Sequence, residues 1–179
     1  VMADKAPPVP LMALLAHPLV DGGMERGVWL RQLRRVEREL RGPRKAGGLK
    51  PVGKIAARLA ERHARVGEWY ALVEEALEPL LSLSDQPEVS LAKLLDMLAA
   101  TGEALCGDKL WAKEDGRALA AFVEGFRLHA REAGFALAPR DAAIALRDAM
   151  EQVAVRPPYG GHARVQILGL LESRMNRAE

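Results

Sequence analysis

Arginines recur at residues 31–44 with a spacing that places them on one side of a helix: Arg31, Arg34, Arg35, Arg38 and Arg41, with Arg44 and Lys45 just beyond. A guanidinium presents a rigid fork of N–H donors that can grip a phosphate through two hydrogen bonds, so such a ridge can hold a nucleic-acid backbone. The same pattern also suits a solvated face that keeps the chain soluble, and residue types alone leave both readings open. No other set of residues promises chemistry. His17, His63, His129 and His162 are scattered without metal-ligand spacing. Glu74, Glu75 and Asp141 fall on expected solvated helix faces, where nothing supports general acid–base work. Cys106, beside Gly107, reads as a small, partly buried apolar residue. No Gly-x-x-x-x-Gly-Lys-Ser/Thr loop is present, and no helix start of the right kind follows Gly22-Gly23, Gly47-Gly48 or Gly160-Gly161. These observations predict a chain that is not itself an enzyme and holds no cofactor.

The 179 residues suit one domain, or one domain with a short appendage. A composition 49% hydrophobic and 28% charged can bury a core and stay in solution. With only 4% aromatic residues, that core must rest on Leu, Ala and Val, which favours helices. The single cysteine excludes an internal disulfide framework and points to a reducing cytoplasm. No run approaches 18 consecutive apolar residues, so neither a membrane span nor a secretory signal is expected. A first residue Val1 in place of Met reads as a piece of something longer. The overall charge of +2 hides an asymmetry. Between Met24 and Val66 stand thirteen basic residues against four acidic ones, a local +9 that leaves −7 for the rest. Such separation fits a basic face turned to phosphate or to an acidic partner.

The elements that would position these residues are helices. Residues 1–9 hold two prolines, with a third at Pro10, and read as an extended lead-in, and an apolar run from Leu11 to Ala16 stops at His17-Pro18. After the turn Asp21-Gly22-Gly23, a helix spans about Met24 to Leu40, with Trp29, Leu33, Val36 and Leu40 in one stripe and the arginines opposite. A loop from Pro43 to Pro51 precedes one long helical pattern, about Lys54 to Leu81, which Gly67 and Pro79 are expected to bend or split. The wheel places Arg62 inside the apolar stripe of that helix. Ser90 is the expected cap of a helix with the stripe Leu91, Leu94, Leu95, Leu98 and Leu105. A fifth long segment, Lys113 to Ala133, carries Leu119, Phe122, Val123, Phe126 and Ala130 and stops at Gly134. Pro139 opens the last helix, with the stripe Ala143, Leu146, Met150 and Val153. Beyond Val155, Arg156 to Gly161 cannot be helical, and Arg164 to Leu168 reads as a strand. The expectation is a mainly α bundle of about six helices over 1–154, followed by an extended linker and strand over 155–179. A lone strand needs a sheet, and this chain supplies none.

Three segments together resemble the AddB subunit of the AddAB helicase–nuclease, the double-strand break repair protein, in the form typical of alphaproteobacteria. They are LLAHPLVDGGM at 14–24, RRVERELRGPRKAGGL at 34–49 and VRPPYGGHARVQILGLLESRMNRAE at 155–179, with Glu114-Asp115-Gly116 as minor support. Ala163 departs from the family, which usually has proline after the histidine, and that puts the stiffness of the turn in doubt. The resemblance implies an internal piece of a partner of the AddA helicase–nuclease, which processes broken duplex ends for recombination. It also implies a helicase-like architecture similar to the UvrD superfamily. There, a helical 2B subdomain precedes the strand of the next motor lobe, so 1–154 would be that subdomain and 155–179 the linker and first strand of the following lobe. No ATPase or nuclease residue of the family falls on this chain. Double-stranded DNA and an AddA-type subunit are the implied partners. The basic face would meet DNA, or it would pack on AddA or on the rest of AddB.

Overall fold

The computed structural model describes residues 6–41 and 47–155, and among these it has seven α-helices, two short 3-10 helices (Leu83–Asp85 and Gly107–Trp111) and one short two-stranded ribbon. The mainly α class agrees with the periodicity, but the helix count is seven where about six were expected. The expected strand at 164–168 lies outside the described residues, as do Arg44 and Lys45.

Helix α1 (Pro8–Ala16) begins at a proline, whose fixed φ and missing N–H suit the first helical position, and ends where Pro18 forces His17 out of the helical region. It buries Leu11, Met12 and Leu15. Helix α2 (Arg26–Leu40) starts on Glu25, whose carboxylate accepts from the backbone N–H groups of Gly27 at 2.7 Å and Val28 at 3.0 Å. That cap satisfies two donors the helix leaves unpaired and sets a negative charge at its positive end. Trp29, Leu33 and Val36 are buried as the wheel predicts, joined by Gln32, while Leu40 is half-buried against the same core.

The connection between α1 and α2 is clamped from both sides. Arg26 donates to the backbone oxygens of Ala16, at 2.7 Å, and Val20. The N–H groups of Asp21 and Gly22 both donate to Leu105 O, at 3.0 and 2.9 Å. Asp21, 6% exposed, pairs with Lys109 and accepts from Gly23 N at 3.2 Å. At Gly22 the chain turns with φ of +55°, and a Cβ there would lie 2.6 Å from the Trp29 ring. Only glycine meets both demands.

The pattern read as one helix from Lys54 is two: α3 (Leu49–Ala60) and α4 (Ala64–Ser82). α3 starts five residues earlier than expected because Pro51 falls in its first turn, where its missing N–H costs nothing. The break comes at 61–63, and neither Gly67 nor Pro79 makes it. Leu59 and Val66 are seven residues apart, so the apolar rhythm runs on through the reversal and gives no sign of it. What decides is tertiary: folded back, the two helices bury their stripes on each other. A Cβ on Gly67 would lie 3.4 Å from Ala60 Cβ, and one on Gly53 would fall 2.6 Å from the Tyr70 hydroxyl. With the helix broken, the wheel phase no longer carries to Arg62, which is exposed.

Helix α5 (Leu91–Cys106) follows Ser90, which stands at the cap position but makes no side-chain cap bond. Ser90 pairs with Ala136, and Val89 with Leu137, as strands β1 (Val89–Ser90) and β2 (Ala136–Leu137) in an antiparallel ribbon too short for periodicity to reveal. Helix α6 (Lys113–Ala133) stops at Gly134 in the left-handed conformation, φ 65° and ψ 20°, as the sequence predicts. Helix α7 (Pro139–Glu151) opens on Pro139 but buries Ala142 and Leu146 only; Met150 and Val153, expected in its core stripe, are exposed. One core gathers α1 to α4 and the end of α5, and a second gathers the end of α4, the start of α5, α6 and α7.

At the centre of the first core, Trp29 is wholly buried and donates from Nε1 to Leu15 O at 2.8 Å. Its ring meets Trp69 edge-to-face at a centroid distance of 5.6 Å. Trp69 Nε1 is also buried but has no hydrogen-bond partner among the described residues. The two tryptophans should therefore respond differently to the same change. Trp29→Phe strands the Leu15 carbonyl, whereas Trp69→Phe removes a donor that already lacks an acceptor. Chemical denaturation should find Trp29→Phe less stable than Trp69→Phe by about 1–3 kcal/mol; equal losses would contradict this assignment.

Candidate nucleic-acid interface

The arginine ridge lies on α2 opposite its Trp29–Leu33–Val36 stripe. Arg31, Arg34, Arg38 and Arg41 are exposed and Arg35 is half-buried. Together with Glu37 they line a shallow concave surface of about 480 Å³. From Arg31 to Arg41 the ridge rises about 15 Å along the helix. Five guanidiniums against one carboxylate make this surface strongly positive. Of the sequence-predicted set, the structure brings these five together; Arg44 and Lys45 are not described.

The five differ in what holds them. Arg31 Nη2 lies 3.9 Å from Glu25 Oε2, and Arg41 Nη2 lies 3.1 Å from Glu37 Oε1. Arg35 donates to Gln32 Oε1 at 2.6 Å, and the Gln32 amide in turn donates to Val28 O at 3.2 Å. Arg34 and Arg38, one turn apart, have no hydrogen-bond or ion-pair partner among the described residues. Like charges at that spacing cost a helix a few tenths of a kcal/mol. The fold keeps that repulsion and spends no acid on it. Beside the ridge, Arg58 of α3 pairs with Glu39, so the α2–α3 packing sets a further guanidinium next to α2, whereas the exposed Lys54 lines the groove between α3 and α4 with Tyr70 and Glu74.

The remaining titratable groups do not converge. His17, His63 and His129 are exposed on separate elements, and His129 Nδ1 meets only Gly125 O at 2.7 Å. Glu75 and Asp141 are exposed, as expected. The Tyr70 hydroxyl sits 3.0 Å from Leu49 O and 2.9 Å from Glu74 Oε1, with one proton for two acceptors. Burial first, and then the Glu74 carboxylate, push this phenol far above its ordinary range. It therefore stays neutral and ties α4 to the start of α3. Among the described residues no group of three or more His, Cys, Asp or Glu is placed to hold a metal ion, and no helix is long and apolar enough to cross a membrane. In comparisons with known proteins, the chain matches no family model, no curated protein and no solved structure.

Cys106 is buried, and its thiol is pushed up by burial and by Asp21, with Lys109 opposing. A thiol held in the protonated form and out of solvent is a poor nucleophile. Native protein treated with a disulfide reagent at pH 8 should modify Cys106 on the order of a hundredfold more slowly than urea-unfolded protein. Equal rates in the two states would show that the residue is open to solvent.

Proposed function

We propose that this chain is a non-catalytic helical region of an AddB-like subunit of an ATP-dependent helicase–nuclease in double-strand break repair, and that its α2 ridge contacts the backbone of duplex DNA. In this reading it works in the cytoplasm beside an AddA-type subunit, and residues 155–179 lead into the next, helicase-like lobe. The chemistry of cutting and unwinding belongs to other parts of that machine, and this region carries no cofactor. The family part of the proposal rests on the three sequence segments. The DNA part rests on one observation: Arg34 and Arg38 have no partner among the described residues within a five-arginine surface. Phosphates would supply the missing anions and relieve the repulsion between neighbouring guanidiniums, without reading base sequence.

A second reading is favoured by a different surface. Beside the ridge, Val9, Met12, Ala16, Leu33 and Leu40 form an apolar shelf of about 510 Å³ between α1 and α2, edged by Glu37 and Arg41, and Val9 is 80% exposed. An apolar shelf next to charge is the make-up of a protein–protein contact. In that reading the face packs on the AddA-type subunit or on the rest of the AddB-like subunit.

Fluorescence anisotropy with a labelled duplex separates the two. Binding should be independent of sequence and fall steeply with salt. Each phosphate contact contributes about 0.9 to the slope of log K against log salt, so Arg34→Ala with Arg38→Ala should lower that slope by about 2. Arg31→Ala with Arg41→Ala should lower it less, because those side chains already share their charge with Glu25 and Glu37. No binding at low salt, with capture of an AddA-type subunit that is lost on Arg34→Glu and Arg38→Glu, would replace the DNA reading by the second.

A further inference from the structure

Helix α1, PVPLMALLA, carries no polar side chain, yet only one of its sides is covered. Leu11, Met12 and Leu15 are buried, while Val9, Ala13 and Ala16 are exposed, Val9 to 80%. A helix that is apolar all round belongs in a buried place, so the outer side of α1 is a surface built to be covered. Val9, Ala13 and Ala16 follow one another at helical spacing along the shelf between α1 and α2, with Met12 and Leu33 withdrawn at 9% and 3% exposure. Glu37 and Arg41 edge that shelf, and the same two residues line the arginine surface beside it. Their ion pair, at 3.1 Å, is the partition between an apolar recess and a cationic one.

We propose that this shelf seats an acidic amphipathic helix of a protein partner, with its apolar stripe on Val9, Met12 and Leu40 and its carboxylates on Arg38 and Arg41. A groove between two helices takes a third through anchors at i, i+3, i+4 and i+7, the spacing that meets the α1 stripe. A shelf open on one side does not enclose most of a small ligand, as small-molecule sites do. A lipid surface takes up protruding apolar side chains, and here Val9 alone stands out while Met12 and Leu33 are drawn in. Charge selects the sign of the partner. Five guanidiniums and one carboxylate line the adjoining surface, so a basic helix is repelled, and a second copy on the same face would set ridge against ridge. Because the shelf and the ridge share Arg41, the seated helix and duplex DNA exclude one another. The docking stands apart from the DNA reading; the exclusion rests on it.

A labelled synthetic helix of about 14 residues, roughly four turns, with leucines at i, i+3, i+4 and i+7 and glutamates beside them, tests it on the full chain by fluorescence anisotropy. It should bind about tenfold more tightly than a control of the same composition with its leucines dispersed, and than the same helix with lysines for glutamates. Val9→Gln with Ala13→Gln, two exposed sites outside the ridge, should weaken it about tenfold and leave duplex binding unchanged. At a peptide concentration ten times its own Kd, the apparent duplex Kd should rise about elevenfold and keep rising in proportion. Equal binding of the dispersed or lysine helix, unchanged binding in the Val9/Ala13 variant, or a plateau in the competition would overturn the proposal. So would a dimer of the chain, or uptake on phosphatidylglycerol vesicles, that this variant abolishes. If duplex does not bind at all, the DNA reading falls while the peptide titration still decides the docking.

Discussion

Burial of the Trp29 indole organises everything around the basic face. The ring fills the centre of the first core, its N–H holds the last turn of α1 through Leu15, and its edge leaves space above Gly22 for a glycine alone. Trp69 of α4 packs against it from the other side. Four elements therefore meet one side chain. The turn at Asp21, fastened to Leu105 and Lys109, brings in a fifth, the end of α5. Burying an indole and its neighbours contributes several kcal/mol, more than any surface ion pair in this molecule. The segment 14–24 thus has a structural role as a corner that docks α1 and α2 on α5.

That burial is also what lets α2 carry its arginines. A helix with five guanidiniums along one side suffers like-charge repulsion, and isolated in water it would be marginal. Here the opposite stripe anchors it, Glu25 caps its start, and Glu25 and Glu37 neutralise only the two ends of the ridge. The middle is left cationic. The separation of charge visible along the sequence becomes, in three dimensions, a surface whose central charges are held in place by packing on the other side.

How much of this was legible depends on whether a signal is local. The α2 stripe, the Gly134 stop and the Pro139 start are written in neighbouring residues, and the structure has each of them. The ridge itself was visible as a spacing of arginines, but the distinction between paired and unpaired members was not. It arises from rotamers and from Glu25 and Gln32 reaching along the helix. The reversal at 61–63 was hidden because the apolar rhythm continues from Leu59 to Val66; only the packing of α3 on α4 reveals it. The same limit misplaced Arg62 on a wheel that does not extend so far. At α7 the stripe named Met150 and Val153 as core, yet the helix touches the bundle along Ala142 and Leu146 and then departs from it. Its apolar end has no described element above it.

Pro79 stands where one core gives way to the next. Leu77 belongs to the first and Leu80 to the second, and both lie on the single helix α4. Having no amide hydrogen, Pro79 cannot close the rung to the carbonyl four residues earlier, so α4 is least reinforced at this seam. Thermal fluctuation is thereby channelled. Among the described residues only α5, which runs unbroken from one core into the other and whose Thr101 hydroxyl donates to Ala76 O, spans that seam a second time, so local opening at Pro79 is restrained by α5 and leaves the tryptophan-centred half holding the cationic ridge in register.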